Sequence, residues 1–434
     1  MPRKLLAHPH TVMFVLCMAV ALANFFIFGL PHTRTWVDAS GFDAYGASIA
    51  AGHGYSPNNA GFNDAREPGY PLFVAALYTV FGIHNVLAVC IVQALLLGVL
   101  GFLIYLVFVA ARERYAGYAA GVLVSALPSY GYYANEMLSE LLFTFFLGLL
   151  FYLCIRVLKA AGQAPWWLYC LVGAVCASAT LVRTQLVFFL PLLIICYWLY
   201  TRPWQLHTFK KGLAGFAVFV VIIFAWMLVV HEHTGHFAIT EGRPAQALYF
   251  RAVRSQLSYT DNTRYLIAWL KRSVTGQETT EVPILDNNDE HRLSRAYSNV
   301  ASTSASAAAV ERQSVATILA NPSHYLYGNL IEVVRLAYID HDYSSYVNRY
   351  FRAGLYVVIY LFFAFGLYAL ARVRGQKDIK NLSVLSLLFI AYNFLVLTPF
   401  YVDPRYNTPY LMFYIVVGIA GVILLVRSKR SAHE

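Results

Sequence analysis

From residue 86 to residue 110 the chain runs without a single charge. A helix over that run rises about 37 Å, enough to cross the ~30 Å hydrocarbon core of a bilayer. Apolar runs of this kind recur at 11–30, 115–131, 137–158, 166–181, 184–200, 211–231, 351–371, 381–400 and 407–426. The expected fold is therefore an all-α polytopic membrane protein with about ten transmembrane helices. Those at 115–131, 166–181 and 184–200 are short for a full crossing. The apolar stretch from Tyr70 to Gly82 is shorter still and is expected to lie in the membrane interface.

Composition supports this class. Only 12% of the residues are charged and 59% are hydrophobic, whereas soluble chains carry about 25% charged residues. Pro2-Arg3-Lys4 followed by an apolar core and Ala21-Leu22-Ala23 has the form of a signal peptide. The run continues to Leu30, however, and is read as a retained first helix. The six cysteines all sit in apolar runs with no CxxC spacing, so they are expected to be small core residues rather than a disulfide framework.

A net charge of +10 raises the question of nucleic acid, but the placement of the cations argues for the positive-inside rule instead. With the N-terminus inside, the inner segments hold Arg3, Lys4, Arg112, Arg114, Arg156, Lys159, Arg202, Lys210, Lys211, Arg372, Arg374, Lys377, Lys380, Arg427, Lys429 and Arg430. The short outer segments hold Arg34, Arg66, Arg183 and Arg405. Both termini are then cytoplasmic. The expected organisation is an N-terminal membrane module over 1–231 with a polar outer loop at 31–85, a mostly helical outer cap over 232–350, and C-terminal membrane helices over 351–434. Within the cap, 301–320 and 325–337 read as helices, and Tyr325, Tyr327, Tyr338, Tyr343, Tyr346 and Tyr350 suit an interfacial belt.

The outer helix ends collect the ionisable residues: Asp38, Asp43, Arg66, Glu67, Glu136, Glu140, Arg183, Asp403 and Arg405. Ionisable groups at such positions face a cavity or a partner. One outward-facing site could use a carboxylate as general base or cation ligand and arginines to hold a phosphate. Each residue could equally sit at the headgroup level and pair locally. His231-Glu232-His233-Thr234-Gly235-His236 and Asp340-His341-Asp342 have weak metal spacing and read more simply as helix end and loop. Gln93 and Asn393, inside spans, suit helix–helix hydrogen bonds.

Four stretches resemble motifs of the GT-C type membrane glycosyltransferases, the class of bacterial aminoarabinose transferases and protein mannosyltransferases. Asp38, Phe42 and Gly52-His53-Gly54-Tyr55 lead to Arg66-Glu67-Pro68-Gly69-Tyr70-Pro71-Leu72-Phe73, as in the family's first outer loop. Asn135–Phe143 with Glu140 is similar to its second acidic motif, Leu181-Val182-Arg183 to its arginine motif, and Asp403–Tyr410 to its RYxxP motif. The resemblance implies transfer of a sugar from a polyprenyl-phosphate donor to a glycan, lipid or protein acceptor. It places this at the periplasmic face of a bacterial inner membrane, with inversion at the anomeric carbon. It also implies Asp38 as catalytic base or as acceptor or metal orienter, with a divalent metal allowed but no other cofactor. Glu140 would be the second acid, and Arg66, Arg183, Arg405 and Tyr70 would serve the donor phosphate. Phe42 stands where tyrosine is common, and Asp43 competes with Asp38, although the spacing to Gly52–Tyr55 favours Asp38. A transporter of lipid-linked sugar should show midplane charges and repeats, which the sequence lacks. An inactive assembly subunit would have no need of an intact acid and arginine.

Overall fold

The structure is a computed structural model. It describes residues 9–28, 37–58, 61–200, 206–240, 243–275, 304–337, 349–373, 376–400 and 403–431. Arg34, Arg202, the acidic run 286–290 and Asp340-His341-Asp342 lie outside them.

Every regular element among the described residues is helical. In chain order the first helices are α1 (Pro9–Ile27), α2 (Val37–Ala50), α3 (Gly69–Phe81), α4 (Val86–Ala110), α5 (Arg114–Ser125), α6 (Pro128–Asn135), α7 (Ser139–Lys159), α8 (Trp166–Val182), α9 (Phe189–Tyr200) and α10 (Leu206–Thr234). They are followed by α11 (Arg243–Ser255), α12 (Tyr259–Thr275), α13 (Ser304–Ala320), α14 (Pro322–Ala337), α15 (Arg349–Arg372), α16 (Lys377–Leu397) and α17 (Leu411–Ser431). Two compact units emerge. The first contains residues up to Thr240 with Leu361–Phe389 and Pro409 onward, and the second contains Glu241–Tyr360 with Ile390–Thr408.

Seven helical stretches among the described residues are long and apolar enough to cross a membrane: Pro9–Ile27, Val86–Ala110, Ser139–Lys159, His207–Thr234, Ala353–Arg372, Lys377–Leu397 and Pro404–Ser428. The other three expected spans are shorter. Helix α8 has 17 residues, and α5 and α9 have 12 each, about 18 Å of rise for 12 residues.

The expected span at 115–131 is in fact broken. Leu127 is extended and Pro128 opens α6, as a residue before proline and a proline at a first helical position require. The carbonyls released at the break would be unsatisfied in lipid. Asn24, buried in α1, supplies the donors: its Nδ2 reaches the carbonyls of Ser125 at 3.1 Å and Leu127 at 2.8 Å. Asn135 returns the contact, donating to the Phe25 carbonyl at 2.7 Å.

The polar outer stretch also differs from a plain loop. Asp38 to Ala50 is helical, and among the described residues of this stretch irregular chain lies between Ala50 and Gly69 and again between Phe81 and Val86. Gly52 and Gly54 adopt φ +80° and +92°, a conformation open to glycine, and turn the chain there.

The first unit packs through aromatic rings and small residues. Phe189 meets Phe389 with ring centroids 4.4 Å apart, Phe389 meets Phe413 at 4.5 Å, and Phe413 meets Phe151 at 5.1 Å. Helices α8 and α10 touch backbone to backbone, since a Cβ on Gly173 would lie 1.9 Å from the Gly215 carbonyl oxygen. Small residues allow this approach where lipid supplies no hydrophobic drive.

Candidate active site

Asp38 lies in the first turn of α2, where the helix dipole favours a carboxylate. Phe42 is four residues on and shares its face. The Phe42 ring meets Tyr70 edge-on at 4.7 Å, and the Arg66 guanidinium lies 5.0 Å over Phe42. From there Arg66 Nη1 reaches Asp38 Oδ1 at 2.6 Å. Gly41 faces it, and a Cβ there would come into ordinary contact with Arg66 Nη2 at 3.4 Å. The Tyr55 hydroxyl donates to the Arg66 carbonyl at 2.9 Å, and the Tyr45 hydroxyl to Asn63 Oδ1 at 2.6 Å. The loop that carries Arg66 is thereby tied to α2.

The same loop is pressed onto the end of α8. A Cβ on Gly69 would lie 2.7 Å from both the nitrogen and a methyl of Val182, so only glycine fits. Thr184 Oγ1 donates to buried Glu67 at 3.4 Å. Arg183 stands between these contacts in sequence, and it is extended where α8 stops. Its Nη2 lies 2.5 Å from Glu140 Oε1, and its Nε donates to Ser139 Oγ at 3.1 Å. Glu140 is 1% exposed and Arg183 is 11% exposed. Such a pair is costly to desolvate and costlier to break. The two acid–arginine pairs are therefore held on one framework, with Gln185 donating to the Tyr410 hydroxyl at 3.1 Å beside them in sequence.

The structure differs from expectation at two residues. Tyr70 is fully buried, and its hydroxyl donates to Gln93 Oε1 at 2.8 Å. Gln93 Nε2 in turn donates to the carbonyl of Glu136 at 2.8 Å. Tyr70 therefore braces the loop against the break before α7. Burial first, then Cys90 and Glu140, push its phenol well above the ordinary range, so it keeps its proton and donates it to Gln93. Asp43 lies about 140° around α2 from Asp38. It accepts from Tyr78 at 2.5 Å and contacts His84 Nδ1 at 2.9 Å. His84 has φ +63°, and nothing in the sequence pointed to this triplet.

Arg405 belongs to the second unit. It opens the 3-10 turn Pro404–Tyr410, pairs through Nε with Asp403 at 2.8 Å, and donates its backbone N–H to the same carboxylate. That unit also holds a cluster absent from the sequence reading, in which Arg251, Arg254 and Arg335 surround Glu332. Among the described residues no group of three or more His, Cys, Asp or Glu converges on a common point. His231 stacks on Phe237, and His233 stacks on Phe62 with its Nδ1 against the Val229 carbonyl.

Residues 65–229 match the family model of the dolichyl-phosphate-mannose-protein mannosyltransferases. No curated protein sequence matches the chain. Two crystal structures of ArnT from Cupriavidus metallidurans resemble the fold. The one bound to undecaprenyl phosphate has 15% identity and a TM-score of 0.42, covering 97% of this chain and 78% of that one. The apo form has 16% identity and a TM-score of 0.41, covering 95% and 77%. The matched segment runs from the Arg66 loop to the end of α10 and takes in Glu140 and Arg183. Over it, the chain is similar to that family.

Proposed function

We propose that the protein transfers a sugar from a polyprenyl-phosphate donor to a hydroxyl-bearing acceptor at the outer face of a bacterial inner membrane. The observation that carries this reading is the Asp38–Arg66 pair at 2.6 Å, with the guanidinium over Phe42. The pair combines the two functions such a transfer requires. A guanidinium has five donors in a planar fork that matches a phosphate, and a carboxylate can take the acceptor proton.

The donor phosphate draws Arg66 toward itself and frees the Asp38 carboxylate. Asp38 then accepts the proton of the acceptor hydroxyl as its oxygen attacks the anomeric carbon. The bond from that carbon to the phosphate oxygen breaks, and the polyprenyl phosphate leaves with the electron pair. Arg66 stabilises the charge that develops on it. A single displacement inverts the anomeric carbon. Glu140 fixes Arg183 near the same phosphate.

The test is incubation of the purified chain with a panel of polyprenyl-phosphate sugars, measuring release of polyprenyl phosphate. Release that requires both Asp38 and Arg66 supports the reading. A wild-type protein that releases none from any donor, with any hydroxyl acceptor supplied, argues against it.

A further inference from the structure

We propose that the first unit binds the acyl chain of an anionic phospholipid at the end opposite the candidate active site. The site is a partly open cavity of about 190 Å³ between the end of α7, the starts of α8 and α10, the length of α9 and the first half of α16. Cys154, Tyr169, Leu193, Cys196, Gly212 and Leu388 are among the residues that line it. Glu140 opens α7 and Cys154 lies fourteen residues further on, about 21 Å along the helix. The cavity and the Glu140–Arg183 pair therefore belong to opposite leaflets.

Its chemistry selects hydrocarbon. Water enters a cavity only where polar partners hold it, whereas an apolar cavity of about 150 Å³ stays dry and takes a benzene. Here the wall is almost wholly apolar. Tyr169 and Tyr197 are its two phenols. Gly212 contributes no side chain, and a Cβ there would meet Ile194 at 3.2 Å. The void is thus created partly by a glycine in a helix that crosses the bilayer. The same helices present Ile195, Leu199 and Leu213 outward, so what lies beside the opening is lipid.

The charge of the headgroup follows from the rim. Among the described residues these helix ends carry Arg156, Lys159, Lys210, Lys211, Lys377 and Lys380, with Asp378 as the one acid. Asp378 is engaged by Lys159 at 2.7 Å. The Lys211 ammonium sits 6.0 Å over the ring of Tyr169, which lines the cavity, and donates to the Ala164 carbonyl at 2.7 Å. A basic rim over an apolar slot between membrane helices suits an anionic headgroup with its chain inserted.

The full-length protein, reconstituted in nanodiscs of equal phosphatidylglycerol and phosphatidylcholine and released for native mass spectrometry, tests this. One phosphatidylglycerol should be retained per chain, in about tenfold excess over phosphatidylcholine, the ratio that one or two lysines near a headgroup supply. Gly212→Phe should abolish retention by filling the slot, and Cys196→Trp does the same should the first variant fail to fold. Equal retention of the two lipids, no retention, or retention unchanged in the filled variants overturns the proposal. So does retention of polyprenyl phosphate in place of phospholipid, which would assign the slot to the donor.

Discussion

Arg66 Nη1 lies 2.6 Å from Asp38 Oδ1, so the candidate base and the candidate phosphate ligand neutralise each other. Removing either should therefore affect different steps. Asp38→Asn keeps the shape and loses the proton acceptor. Transfer is expected to fall about 10²- to 10⁴-fold, the usual contribution of a general base, with donor affinity little changed. Single-turnover release of polyprenyl phosphate measures both.

Arg66→Lys should fail nearly as badly as Arg66→Ala. The lysine keeps the charge but has no planar fork, and it cannot stack on Phe42 as the guanidinium does. The expected signature is a raised KM for donor with the acceptor KM unchanged. Full activity in the lysine variant would show that Arg66 acts only as a point charge.

Asp43→Asn separates the two aspartates. Asp43 is engaged by Tyr78 and His84 and not by Arg66. The substitution should lower stability by about 0.5–1.5 kcal/mol, the net worth of a part-exposed hydrogen bond, while the surviving folded protein turns over normally. Thermal unfolding alongside turnover per folded molecule reads the difference. A catalytic loss equal to that of Asp38→Asn would transfer the role of base to Asp43.

The sequence made the polytopic helical class legible because charge-free runs of span length leave little choice in lipid. It also singled out Asp38, Arg66, Glu140 and Arg183, which the structure joins as two acid–arginine pairs. The partners were less visible. Arg66 pairs with Asp38, and Arg183 with Glu140, and the approach of Gly69 to Val182 is long-range, with no local signal. Tyr70 looked available because it follows Arg66 in the motif, yet burial commits its hydroxyl to Gln93. The break at Leu127–Pro128 was signalled by the proline, but the donors from Asn24 that make it tolerable come from a helix about a hundred residues away.

Breaking the buried Glu140–Arg183 pair should cost about 3–5 kcal/mol, because the survivor is left charged and without its counter-ion. Arg183→Met should thus destabilise strongly, and the double variant Glu140→Leu with Arg183→Met should recover much of the loss. Activity should not recover with it, since no cation is restored. Unfolding midpoints for the two single variants and the double variant, with transfer measured on each, check both halves.

The second unit carries a pH dependence of its own. Burial alone would raise the Glu332 carboxyl, but Arg254, Arg335 and Arg251 outweigh it, and the group is held below its ordinary value. A depressed carboxylate contributes stability above the unfolded value and loses it as pH falls through the folded one. The contribution should therefore be complete at neutral pH and fade on acidification below the usual glutamate range. Hydrogen exchange of α11 and α14 should show this as faster opening at acid pH. Glu332→Gln should open them at neutral pH as well and flatten the dependence, because three buried guanidiniums then share no carboxylate. An unchanged acid response in that variant would assign the dependence to other carboxylates.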